Sequence, residues 1–152
     1  MYMSLMNFKS LLLLIIFFQF SHAYTEESFL SLKKNKVNVR YGPSFESPVK
    51  FIYKKINLPI KQIDKKENFR RIIDIKNNSG WIHISQLKTV NSVITLEDKL
   101  IFKKPSLFSK PLAKIKKGRL LIVLKCKKNW CKVKTKKFKG WVDKFNLWGD
   151  IN

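Results

Sequence analysis

Apolar and polar positions alternate in short stretches along most of this chain. Val37 and Val39 are separated by Asn38 and followed by Arg40, and Lys132-Val133-Lys134 and Gly140-Trp141-Val142-Asp143 alternate or nearly so. Leu120-Leu121-Ile122-Val123-Leu124 is a brief apolar run of strand formers. A period of two predicts half-buried strands, and a short unbroken apolar run predicts a buried one. Turn chemistry falls between these stretches, at Tyr41-Gly42-Pro43-Ser44, Lys76-Asn77-Asn78-Ser79-Gly80 and Lys117-Gly118. No long apolar 3.6-residue period follows the first two dozen residues, so an all-β fold is expected.

The pattern occurs twice. Gly80-Trp81-Ile82 returns as Gly140-Trp141-Val142, and Asn68-Phe69-Arg70-Arg71-Ile72 as Asn129-Trp130-Cys131-Lys132-Val133. Val37-Asn38-Val39 is matched to Leu100-Ile101-Phe102, Pro43-Ser44 to Pro105-Ser106, and Pro48-Val49 to Pro111-Leu112. Matches in one order with small slips indicate a duplicated module. The modules are placed at 30–90 and 96–149, joined by a short linker, Lys88–Asp98, that brings them into contact. Five short strands in fewer than sixty residues are best hidden in a small curved barrel, which leaves few free edges. Gly80 and Gly140, each before a Trp at a strand start, are expected to supply a positive φ or room for the ring over the backbone.

The N-terminus changes the setting. Lys9 precedes the apolar run Leu11–Phe18, and Ser21-His22-Ala23 places small residues three and one positions before a cut between Ala23 and Tyr24. That order is the order of a secretory signal peptide, here a signal helix over 1–23. The run is about half the ~20 residues a spanning helix needs. An exported, periplasmic or extracellular protein is therefore expected. In such a compartment Cys126 and Cys131, four residues apart, suit a disulfide across a short hairpin. The formal net charge is +22, which attracts polyanions and resists self-association. The chain is also rich in Lys, Ile and Asn, so base composition is a second source of that charge.

Asn38-Val39-Arg40, then Gly42-Pro43-Ser44, resembles the opening strand and first long loop of bacterial Src homology 3 domains. The first module continues the likeness with Phe69 and Gly80-Trp81-Ile82, but has no turn glycine. The second supplies Lys117-Gly118, Trp130-Cys131-Lys132-Val133, Gly140-Trp141-Val142 and a closing Leu147-Trp148-Gly149, while its start lacks the Asn, the Arg and the Gly. The resemblance implies two tandem Src-homology-3-like β-barrels and a binding function in the cell envelope, several members being linked to peptidoglycan. It implies no enzyme.

An aromatic-lined groove beside the long loops is the expected site. Its candidates are Tyr41, Phe45, Phe69 and Trp81 in the first module and Phe108, Trp130 and Trp141 in the second. Each Trp, and Phe69, has a competing role as barrel filling, whereas Tyr41 and Phe45 lie in a loop. No catalytic set is expected, because the cysteines are paired, His83 stands alone as a surface residue, and the acidic residues are scattered. No metal site or cofactor is expected. The partners expected are peptidoglycan or another anionic envelope polymer, or an envelope protein. Nucleic acid fits the charge, but export argues against it.

Overall fold

The computed structural model describes residues 28–150; the leader and its Ala23–Tyr24 cut lie outside them. The regular elements of the described residues are strands and one 3-10 turn, Ile84–Gln86. The first seven strands are β1 Ser28–Leu32, β2 Val37–Arg40, β3 Val49–Tyr53, β4 Pro59–Lys66, β5 Phe69–Ile73, β6 Ser79–His83 and β7 Leu87–Thr89. They pair in the order β3-β2-β6-β5-β4-β1-β7. The next seven are β8 Ser92–Thr95, β9 Lys99–Phe102, β10 Pro111–Ile115, β11 Leu120–Lys127, β12 Trp130–Lys134, β13 Lys139–Asp143 and β14 Leu147–Trp148. Their order, β10-β9-β13-β12-β11-β8-β14, is the first order with seven added to each number. Bulges recur at matching places, between Gln62 and Asp64 and between Val123 and Lys125, where the extra residue bends the strand and increases its twist.

Each sheet encloses one core. In the first, Leu32, Val37, Val39, Ile60, Ile72, Ile82 and Leu87 are buried together; they come from β1, β2, β4, β5, β6 and β7. A flat sheet cannot bring its far strands to one cluster, so the sheet curls round on itself. Val93, Ile101, Leu121, Cys131, Val133 and Val142 do the same for the second. Neither Gly80 nor Gly140 has the positive φ that was one of the two expectations. A Cβ on Gly80 would lie 2.4 Å from Val39 Cγ1 and 2.9 Å from the Arg40 carbonyl, and one on Gly140 2.5 Å from Ile101 Cγ2 and 2.6 Å from the Phe102 carbonyl. The glycines let β6 and β13 press against β2 and β9.

Pairing corrects the repeat alignment by one residue. Arg40 faces Trp81 and Phe102 faces Trp141, so Phe102 takes the place of Arg40 and Lys99 that of Val37. A one-residue slip exchanges the two faces of a strand, and apolar matching chose the wrong face because a lysine occupies the inward position. Lys99 is 5% exposed and pairs with Asp143 at 2.7 Å and Glu97 at 2.8 Å. Burial alone would lower its pKa, but hydrogen bonds to both carboxylates outweigh this and raise it.

The missing turn glycine is also explained. Gly118 donates to the Thr95 carbonyl at φ 80°; Asn57 donates to the Leu32 carbonyl at φ 61°. Asparagine is among the few residues that tolerate this left-handed region. In the second module the Asp98 carboxylate accepts from the Lys117 backbone and the Lys116 ammonium, which pulls its pKa down to about 2.

The expected linker is mostly strand. Lys88 and Thr89 belong to β7, and Ser92–Thr95 form β8, buried at all four positions. Only Val90 and Asn91 separate the sheets. The modules meet along this short path: Ser31 Oγ and Ser92 Oγ are 3.1 Å apart, and Ser92 Oγ donates to the Asn57 carbonyl. Trp148 Nε1 donates to the Pro59 carbonyl at 3.2 Å, and its ring meets Phe29 edge-on at 5.2 Å. Cys126 and Cys131 stand opposite each other on β11 and β12, joined by a disulfide with their Cα atoms 4.1 Å apart.

Candidate functional site

The seven aromatic candidates do not form one groove. In the first module they divide into two neighbouring surfaces with Arg40 between them. The loop from Tyr41 to Pro48 is closed by the Tyr41 N–H on the Pro48 carbonyl at 3.1 Å. It swings Phe45 over the paired ends of β5 and β6, where Phe69 faces His83. Ring centroids lie 5.3 Å apart for Phe45 and Phe69, 4.9 Å for Phe45 and His83, and 5.1 Å for Phe69 and His83. Phe69 is buried and forms the floor, while Phe45 is 59% exposed and forms the wall. The Arg40 guanidinium lies 5.8 Å from the Phe45 centroid and donates to the Ser47 carbonyl at 2.7 Å. His83, expected to be an isolated surface residue, is thus part of the cluster; its Nδ1 accepts from the Ser85 backbone at 3.3 Å.

Tyr41 and Trp81 line a separate cleft of about 320 Å3 with Arg40, Lys50 and Arg71. Lys50 Nζ donates to the Ser79 carbonyl at 3.0 Å and lies 5.6 Å from the Tyr41 centroid. Every charged residue lining the cleft is cationic. Guanidinium and ammonium groups beside aromatic faces suit an oxyanion attached to a ring or an apolar stem.

The second module is built differently. Trp141 is 9% exposed, with Lys125 and Lys132 at 6.0 and 5.9 Å from its ring. Trp130 meets Phe102 edge-on at 5.6 Å, and Phe102 was missed because the shifted alignment equated it with a core valine. Phe108 stands apart at 101% exposure. Its position corresponds to Glu46, since the Glu46 and Phe108 N–H groups each donate to the hydroxyl two residues earlier, Ser44 and Ser106.

Cys126 and Cys131 are bonded to each other, so neither presents a thiol. Among the described residues no three His, Cys, Asp or Glu side chains gather as a metal site, and no helix is long and apolar enough to cross a membrane.

The family described as Bacterial SH3 domain matches residues 33–88 and again 99–149. Among solved structures the chain is similar to NlpC2 from Trichomonas vaginalis, with 12% identity, a TM-score of 0.38, and coverage of 84% of this chain and 50% of that one. It is also similar to NlpC1 from Trichomonas vaginalis, with 12% identity, a TM-score of 0.36, and coverage of 84% and 47%. The chain spans about half the length of these two structures. None of the curated proteins matches it.

Proposed function

The chain belongs to the bacterial SH3 domain family, and from that premise we propose that it is a non-catalytic, exported module that holds peptidoglycan or an extended wall peptide. Bacterial SH3 domains mediate binding to cell-wall or protein partners. The observation that carries the reading is the Phe45, Phe69 and His83 cluster, with Arg40 leading from it into the cationic cleft at Tyr41 and Trp81. Sugar rings and flat peptide units stack on aromatic faces. The carboxylates of a wall peptide, or its free terminus, complement Arg40, Lys50 and Arg71. The groove belongs to the first module, because the second replaces Arg40 with Phe102 and lacks a counterpart to the Phe45 and His83 contact.

The test is retention of Tyr24–Asn152 on purified peptidoglycan. Retention should survive about 0.3 M salt, where exposed charges are screened within several ångströms. Phe45→Ala should weaken it about tenfold, the worth of roughly 1.4 kcal/mol. Binding that vanishes with salt and ignores Phe45→Ala would reduce the interaction to bulk charge. No retention at either salt would favour a protein-docking adaptor instead.

A further inference from the structure

The first long loops of the two modules share a backbone plan and differ in surface chemistry. Tyr41–Pro48 and Lys103–Lys110 are each eight residues long and closed by the same hydrogen bond, Tyr41 N–H to the Pro48 carbonyl and Lys103 N–H to the Lys110 carbonyl at 3.0 Å. Each carries the same serine turn at its tip. The first loop carries one charge, Glu46, and folds Phe45 back onto its barrel. In the second, Glu46 becomes Phe108, Phe45 becomes Leu107, and Tyr41, Gly42 and Pro48 become Lys103, Lys104 and Lys110. Leu107 is 70% exposed and Phe108 101%.

The exposed pair is held in place. The Lys104 N–H donates to Ser109 Oγ at 2.9 Å, the Ser109 N–H to the Ser106 carbonyl at 3.1 Å, and the Phe108 N–H to Ser106 Oγ at 3.2 Å. A hydrogen-bonded loop that aims two large apolar side chains outward, with lysines on both flanks, matches a surface that is apolar beneath and anionic above. We infer that the Lys103–Lys110 loop docks the second module on an anionic lipid bilayer, Leu107 and Phe108 entering the acyl boundary while Lys103, Lys104 and Lys110 meet the headgroups. Charge complementarity extends past the loop. The only acidic residue between Lys99 and Gly149 is Asp143, and Lys99 pairs with it. Each lysine brought to an anionic surface strengthens association about fivefold, and two apolar side chains add a component that salt does not screen.

Both sheets are complete within residues 28–150, so Tyr24–Asn152 is the form to test; the Leu11–Phe18 run would itself carry a longer chain into lipid. The assay is co-sedimentation with vesicles of phosphatidylcholine alone and of phosphatidylcholine with phosphatidylglycerol in equal parts. The protein should sediment with the anionic vesicles and not the neutral ones. The double change Leu107→Ser with Phe108→Ser should weaken binding about tenfold with the melting temperature unchanged. Lys104→Gln with Lys110→Gln should also weaken it and reduce its salt dependence. Undiminished binding by the Leu107 and Phe108 variant would overturn the inference in favour of charge alone. Absence of vesicle binding by the parent would overturn it as well, and would make the loop a docking point for protein.

Discussion

Asp74 is buried at the turn after β5, and its carboxylate gathers four donors. Lys76 and Asn78 give backbone N–H groups at 2.8 and 2.9 Å, Asn78 its side-chain amide at 3.0 Å, and Tyr53 its hydroxyl at 2.9 Å. Burial pushes the carboxyl pKa up, but the hydrogen bonds from Asn78, Lys76 and Tyr53 pull harder and leave it below the usual value. The phenol of Tyr53 is pushed up by burial and by the Asp74 charge. Because the folded pKa of Asp74 is depressed, its stabilisation is fully present above the unfolded value of about 3.9 and is lost as pH falls through the folded one. Thermal melts of Asp74→Ala should therefore show a loss of about 2 kcal/mol at neutral pH and a weaker acid dependence than the parent. Lys99 makes the opposite point. Its partners Glu97 and Asp143 are 45% and 32% exposed, so water can hydrate them if it is removed. Lys99→Val, which installs the first module's residue, should change stability in urea by about 1 kcal/mol or less.

At the scale of strands and turns, residue pattern and structure agree where one face is wet. β2 and β6 alternate, and their limits follow from Val37 and the Gly80-Trp81 pair. β8 was illegible because all four of its residues are buried; it has no polar face to set a period, and a serine and a threonine make it read as linker. The division of the aromatics was hidden for another reason. Phe45 and Tyr41 are near neighbours in one loop, and only the course of that loop sends one ring over β5 and leaves the other beside β6. His83 gave no sequence signal, since a lone histidine at a strand end is ordinarily solvated. The β11 and β12 hairpin depends on its cross-strand bond. Reduction, or Cys126→Ser with Cys131→Ser, should lower stability by about 2 kcal/mol for so small a ring, measured by denaturant titration with and without reductant. Gly140→Ala should be costlier than Gly118→Ala as read by melting temperature: a new Cβ at Gly140 meets Phe102 backbone at 2.6 Å, whereas Gly118 has open space and only its φ to oppose the change.

For the whole molecule, the two modules are one topology used twice and then specialised. The first gathers exposed aromatics and cations around Arg40, and the second spends its matching loop on Leu107 and Phe108. The junction keeps them from acting as separate beads. Only Val90 and Asn91 intervene, and Trp148 crosses to Pro59 and Phe29. Trp148→Ala should therefore broaden the calorimetric transition or split it in two, where the parent gives one, with each module's own strand content retained.

Trp148 also sits in β14, the last strand among the described residues, which pairs with β8 near the start of its own module. The corresponding strand of the first module, β7, precedes every strand of the second. A nascent polypeptide can thus finish its first unit while the second is still being made. The second cannot complete its sheet, nor latch onto its neighbour, until Leu147 and Trp148 have emerged. Loss of the chain from Leu147 onward would leave the first unit whole and the β8 edge uncovered, an open invitation to pairing with another chain.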